Sequence, residues 1–194
     1  MKKTLLAILI LAAAAAPALA AGPPPAPQQK ILLIDRQAIL RFSKVGQDVA
    51  KQVESYGNQA KGEIAGQQKS LQAEAQQLQQ QIAILAADAK AKKIKDFENK
   101  QAGMQAAAQK KEQAIQGGFM TAQATIAKTL EPILQGLMQQ RGANMILDKN
   151  ALVYASPDAV KAFDITEPAI NALNQKLPSL KVSLATPPAP AKKK

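Results

Sequence analysis

From Val45 onward, apolar or small residues recur at intervals of four, four and three: Val45, Val49, Val53, Tyr56, Ala60, Ile64, then Leu71, Ala75, Leu78, Ile82 and Leu85. Only Gln67 interrupts the series. This spacing predicts a helix with one apolar seam over about 40 residues, a rod of about 60 Å at about 1.5 Å per residue. A repeat of this kind corresponds to about 3.67 residues per turn, so the rod should be nearly straight or slightly right-handed, unlike a heptad coil.

The polar run Ala86 to Lys93 interrupts the seam, and a second one follows through Ile94, Phe97, Met104, Ala108, Ile115, Phe119, Ala122, Ile126, Leu130, Ile133 and Leu137. Two seams predict two helices, an antiparallel hairpin over residues 43–141 with its tip near 86–93. If the chain folds back near residue 89, Leu85 meets Ile94, Ile64 meets Ile115, Val53 meets Ile126 and Val49 meets Leu130. Tyr56 then faces Ala122 and Ala60 faces Phe119, large against small, while Gln67 faces Glu112 in one polar layer that would fix the register. Gly57, Gly62 and Gly66 on the rising rod each weaken the helix by about 1 kcal/mol relative to alanine, as do Gly103, Gly117 and Gly118 on the descending one, so the arm should be compliant. Pro132 removes one backbone bond and should bend the return helix near Lys128 to Glu131; Gly142 supplies a stop.

The two ends read differently. Lys2 and Lys3, the apolar run Leu5 to Ala16 and Ala18-Leu19-Ala20 have the three parts of a secretory signal peptide over residues 1–20, cleaved after Ala20, which directs the chain to the periplasm. Residues 21–29, with four prolines, are expected to be an extended linker, and residues 181–194 a disordered Pro/Lys tail.

Between the ends lies a small base in two pieces, residues 30–42 and 142–180. Lys30 to Asp35 reads as a buried strand, after which Asp35 caps a short helix. Asn144 to Asp148 and Ala151 to Ala155 read as a β-hairpin turning at Lys149 and Asn150, and Glu167 to Leu177 as a last helix beyond a loop at Ser156-Pro157. Three short strands bury little area and leave open edges, so copies of the chain should share them. Ile31, Leu33, Ile146, Leu152 and Tyr154 are the residues assigned to that shared base.

The chain has neither cysteine nor histidine. No disulfide, imidazole base, thiolate nucleophile or ordinary zinc site is therefore possible, and we expect neither an enzyme nor a bound cofactor. No Gly-rich phosphate loop followed by Lys-Ser or Lys-Thr occurs. The formal net charge of +11 falls by two with the leader, leaving a basic exported chain.

The block from Asn144 to Ser156, followed by Asp164-Ile165-Thr166 and the closing helix, resembles the Skp (OmpH) family of periplasmic chaperones. Lys30 to Asp35 and a helical hairpin of the expected length support it, so the resemblance spans nearly all of the exported chain. It implies a mainly α fold: a long antiparallel two-helix coiled-coil hairpin arm on a small α+β base, with strands of three chains pairing in a trimeric β-body. It further implies a homotrimer whose arms enclose unfolded outer-membrane β-barrel proteins without ATP. The proline-rich ends and the glutamine-rich, glycine-dotted arm depart from the family pattern.

Seven lysines against Asp96 and Glu98 lie between Lys90 and Lys111. Lys90, Lys92, Lys93, Lys95 and Lys100 are the candidate contacts for acidic clients or for anionic lipid and lipopolysaccharide headgroups. The alternatives are a lipopolysaccharide or anionic-surface binder and a purely structural periplasmic coiled coil. Nucleic acid is disfavoured as a partner, because the chain is exported and the arm lacks stacking aromatics.

Overall fold

The computed structural model describes residues 29–184. The segments read as signal peptide and proline-rich linker, up to Gln28, and the tail beyond Leu184 lie outside the described residues. The fold is mainly helical with two strands. In chain order it comprises β1 (Ile31–Ile34), α1 (Arg36–Phe42), α2 (Lys44–Ile82), α3 (Ala87–Gln140), β2 (Met145–Asp148), a 3-10 turn (Lys149–Ala151), α4 (Pro157–Phe163) and α5 (Thr166–Lys176).

Three of the helix boundaries have a clear local cause. The Asp35 carboxylate accepts from the Ala38 N–H at 2.8 Å and starts α1. Ser43, wholly buried, accepts from the Gly46 N–H at 3.1 Å and starts α2 directly behind it. At the far end of α3, Gly142 has φ 59°, the Ala143 N–H donates to the Met138 carbonyl at 2.9 Å, and the Gly142 N–H donates to the Gln139 carbonyl at 3.0 Å. That pair of bonds is a Schellman stop, for which glycine is the least strained residue. α3 runs through Pro132 to reach it.

The tip lies earlier than the polar run suggests. Residues 83–86 make the connection and α3 already begins at Ala87, so most of Ala86 to Lys93 is helix. Alanine and lysine are among the best helix formers, and a polar run built from them extends a helix instead of turning the chain. The earlier fold-back shifts the register of the two long helices by about one turn. Lys93 reaches Gln81 at 2.7 Å, Lys100 pairs with Glu74 at 2.5 Å, and Lys111 pairs with Glu63. Leu78 now lies with Phe97, Leu71 with Met104, and Ala60 with Ile115. The expected polar layer is absent: Gln67 adjoins Gly103 and Ala107, while Glu112 is exposed and accepts only from Gln116, at 3.4 Å. Phe119 is displaced from Ala60 to the foot of the arm, beside Val49 and Gln123.

The base differs from the three-stranded expectation. β1 and β2 pair in parallel, Ile31 opposite Met145 through Ile34 opposite Asp148, and no strand forms over Ala151 to Ala155. The reason is Asp148. Its carboxylate accepts from the Asn150 N–H at 2.9 Å and from Arg36 at 2.6 Å, winding the chain into a 3-10 turn where a hairpin was expected. The Ser156-Pro157 pair opens α4 instead of a loop, since serine caps and proline fits the first helical position. Ile165 donates to the Leu33 carbonyl at 2.9 Å, and the Asp35 N–H donates to Thr166 Oγ1 at 2.9 Å, tying α5 to β1.

The core sits where the foot of the arm meets the base, with Ile39, Val45, Val49, Ala122, Ile126, Leu130, Ala169 and Leu173 all buried. Residues 178–184 add to it. Residues 181–184, expected to belong to a disordered tail, are ordered: Val182 is 2% exposed and packed in that core.

Two carboxylates give the base a pH dependence. The Asn150 backbone N–H, then the Arg36 guanidinium, hold Asp148 below the usual carboxylate range. Burial acts to raise Asp164, but the Lys149 ammonium and the Thr166 hydroxyl and N–H outweigh it, and the group is lowered too. Carboxylates depressed on folding stabilise above their ordinary value of 3.8 and lose that contribution as pH falls through the lower folded value. The unfolding midpoint should thus drop on acidification below about pH 4, and an Asp148→Asn/Asp164→Asn variant should show a flatter dependence by circular dichroism.

Candidate binding arm and base surface

Along the arm, burial follows the repeat. Val53, Tyr56, Ala60, Ile64, Leu71, Ala75, Leu78 and Ile82 are all half-buried, and their neighbours on the other faces of α2 are mostly exposed. None of these seam residues is fully covered, because two helices enclose a seam from one side only. Three open depressions follow one another between α2 and α3, of about 360, 400 and 530 Å³ from the foot towards the tip. Each carries two or three apolar seam residues among glutamines and paired charges. Such a surface makes shallow contacts repeated over a long span.

Gly57, Gly62, Gly66 and Gly103 face open space: a methyl group built on any of them meets nothing within 4 Å. These glycines do not serve close helix approach. They lower helix stability without a packing gain, although α2 runs unbroken through the first three and α3 through Gly103.

At the tip, Lys90, Lys92 and Lys95 are exposed and make no ion pair among the described residues, while Lys93 bonds to Gln81 and Lys100 to Glu74. Three of the five candidate lysines are thus unneutralised and two are held across the hairpin. They crowd the first turns of α3, whose N-terminal cap Ala86 offers no side-chain acceptor and whose first turn holds one carboxylate, Asp88, at the positive end of the helix dipole.

The candidate base residues divide. Leu33 is 5% exposed within one chain and is already covered. Ile31, Ile146 and Leu152 are half-buried. Tyr154 is 89% exposed, and its neighbour Val153 is fully exposed at 102%. Beside the 3-10 turn that precedes them lies an open depression of about 580 Å³, lined by Leu40, Ile126 and Leu130 with Arg36 and Asp148.

One set of residues escaped the sequence reading. Asp48, Gln52 and Tyr56, one turn apart on α2, hydrogen-bond to the backbone of residues 180–182. The signal was present in the alternating Leu180-Lys181-Val182-Ser183-Leu184, overlooked beside the lysines and prolines that follow. Among the described residues no group of side chains could hold a metal ion, and no helix is long and apolar enough to cross a membrane.

Residues 30–173 match the family model described as Outer membrane protein (OmpH-like). No curated protein matches the sequence. The fold is similar to the crystal structure of a candidate outer membrane chaperone (OmpH-like) from Caulobacter crescentus CB15, with a TM-score of 0.72 and 22% identity over 84% of this chain and 92% of that one. At that identity the likeness speaks for the fold.

Proposed function

Because the chain belongs to the OmpH-like family of outer membrane proteins, we propose that it is an ATP-independent periplasmic holdase. It binds unfolded outer-membrane β-barrel proteins between its arms and keeps them from aggregating. The observation that carries this reading is the half-covered seam, which offers many weak apolar contacts over a long span and no single deep one. Holding without an energy source requires contacts of that kind, since each must release spontaneously while their sum retains the client.

The working unit is a homotrimer with coiled-coil arms standing on a shared base. Its support is the exposed Val153-Tyr154 pair, together with the open depression beside the 3-10 turn, a suitable seat for that pair from a neighbouring copy. The lysine tip draws in acidic client segments. It also favours lipopolysaccharide or anionic lipid headgroups as a secondary contact, because Lys90, Lys92 and Lys95 project unpaired from one end. A rigid structural spacer fits less well, given the glycines that soften α2.

The test dilutes a denatured outer-membrane barrel protein into buffer with and without this chain, following light scattering and the mass of the complex. Suppressed scattering, with several copies of the chain per client, is the expected result. Unchanged aggregation by a folded, oligomeric protein would refute the holdase. Changing Lys90, Lys92, Lys93 and Lys95 to glutamine should weaken client binding about tenfold at low salt and little at high salt, where the Debye length is only about 3 Å. Equal affinity at low salt would remove the electrostatic step.

A further inference from the structure

The segment Leu180-Lys181-Val182-Ser183-Leu184 lies in the groove between α2 and α3 at the foot of the arm, and its burial alternates from Leu180 to Ser183, with Leu184 37% exposed. Leu180 and Val182 face inward, and Lys181 and Ser183 are exposed. Its backbone is read by side chains of α2. The Leu180 N–H donates to Asp48 Oδ2 at 3.1 Å, Gln52 Nε2 donates to the Leu180 carbonyl at 2.8 Å, and the Val182 N–H donates to Gln52 Oε1 at 2.9 Å. The Tyr56 hydroxyl donates to the Val182 carbonyl at 3.4 Å. One amide side chain thus binds the carbonyl and the N–H flanking Lys181, as a residue of a neighbouring parallel strand would. On the opposite wall Gly118 lets the segment close in: a methyl group there would lie 2.6 Å from the Ser183 carbonyl oxygen.

Every hydrogen bond in this set goes to main chain, so the groove selects a conformation and a period of two, not a sequence. That period is the pattern of a membrane β-barrel strand, whose outward apolar and inward polar residues alternate. The groove does not end at Leu184. That residue lines the next depression together with Tyr56, Ala60 and Ile115, so the path continues towards the tip.

We propose that this groove is a binding site for extended polypeptide of alternating apolar and polar residues, and that Leu180 to Leu184 occupies it as a stand-in for a client strand. Resting on the holdase reading above, it names what is held at the foot of the arm: a single barrel strand, which displaces the chain's own segment.

The test uses the full chain and a fluorescent peptide containing Leu-Lys-Val-Ser-Leu, against one of the same composition ordered Leu-Leu-Val-Lys-Ser. Val182→Asp, which loosens the resident segment, should raise affinity for the alternating peptide tenfold or more by anisotropy. Gln52→Ala added to it should abolish that gain, and the reordered peptide should bind at least tenfold more weakly. Equal binding of the two peptides, or no gain with a folded Val182→Asp chain, overturns the proposal. Should that variant not fold, amide exchange in the unaltered chain decides. The Leu180 and Val182 N–H groups should exchange faster once a denatured barrel protein is bound. If they stay protected while scattering is suppressed, the groove is structural and the holdase reading stands; if scattering is not suppressed, that reading falls and peptide binding alone judges the groove.

Discussion

Replacing Gly46 with alanine is expected to destabilise the foot of the arm by about 3 kcal/mol or more, the sum of overpacking in a close-packed core and a damaged helix cap. A methyl group at this position would lie 1.8 Å from the Leu40 carbonyl oxygen and 2.7 Å from its carbon. Both are backbone atoms of α1, so no side chain can rotate away. The clash is relieved only by moving α1 off α2, which pulls Ser43 from its two bonds: its N–H donates to the Ile39 carbonyl at 3.0 Å, and its hydroxyl oxygen accepts from the Gly46 N–H at 3.1 Å. Ile39, Val45 and Val49 would lose their packing together. Gly62→Ala is the matched control. It adds the same methyl group to the same helix in open space and should stabilise by up to about 1 kcal/mol. Chemical denaturation of the two variants should give midpoint shifts of opposite sign. A tolerated Gly46→Ala would mean that α1 does not sit against α2 in this way.

The second large effect concerns assembly. If the chain assembles as proposed, Val153→Ser with Tyr154→Ser should convert the proposed homotrimer to monomers while leaving the helical signal unchanged, because both side chains project from the folded chain and contribute nothing to its core. Burying each against a neighbour is worth about 2 kcal/mol, and removing both weakens each contact roughly a thousandfold. Sedimentation at micromolar concentration should resolve the change. Arms on separated monomers cannot enclose anything, so suppression of client aggregation should fall with the oligomer. An oligomer that survives the double substitution would place the shared surface elsewhere, with the exposed edge of β2 the next candidate.

The seam was legible in the sequence because burial on a two-helix rod is set by the period alone. The half-buried positions of α2, from Val53 to Ile82, are the ones the repeat marks. Register was not legible to the same degree. It depends on where the chain turns, and the run at 86–93 holds neither glycine nor proline to fix that point. A fold-back displaced by about one turn brings the same faces together, so the apolar pattern fits either arrangement. Strand pairing in the base failed for a different reason. Leu152, Val153 and Tyr154 have strand-forming side chains, yet Asp148 is committed to Arg36 and the Asn150 N–H, and the chain leaves the sheet there. Local propensity could not weigh a bond made to a residue more than a hundred positions away. The tip lysines were visible as charge, but their division into paired and unpaired groups needed the partners Gln81 and Glu74.

The parallel pairing of β1 with β2 has a kinetic consequence. The two strands stand on either side of the whole arm, so the base cannot close until about 110 intervening residues have been made and ordered. Closing that span as flexible chain would cost about 4 kcal/mol in entropy. The arm lowers that barrier in steps, because pairing can start at the tip, where Gln81 and Lys93 are close in sequence, and zip through Glu74–Lys100 and Glu63–Lys111 until its two ends meet. The hairpin is thus a folding device for its own base before it can serve any other chain, and substitutions in the connection at residues 83–86 would register first as slower closure of a sheet an arm's length away.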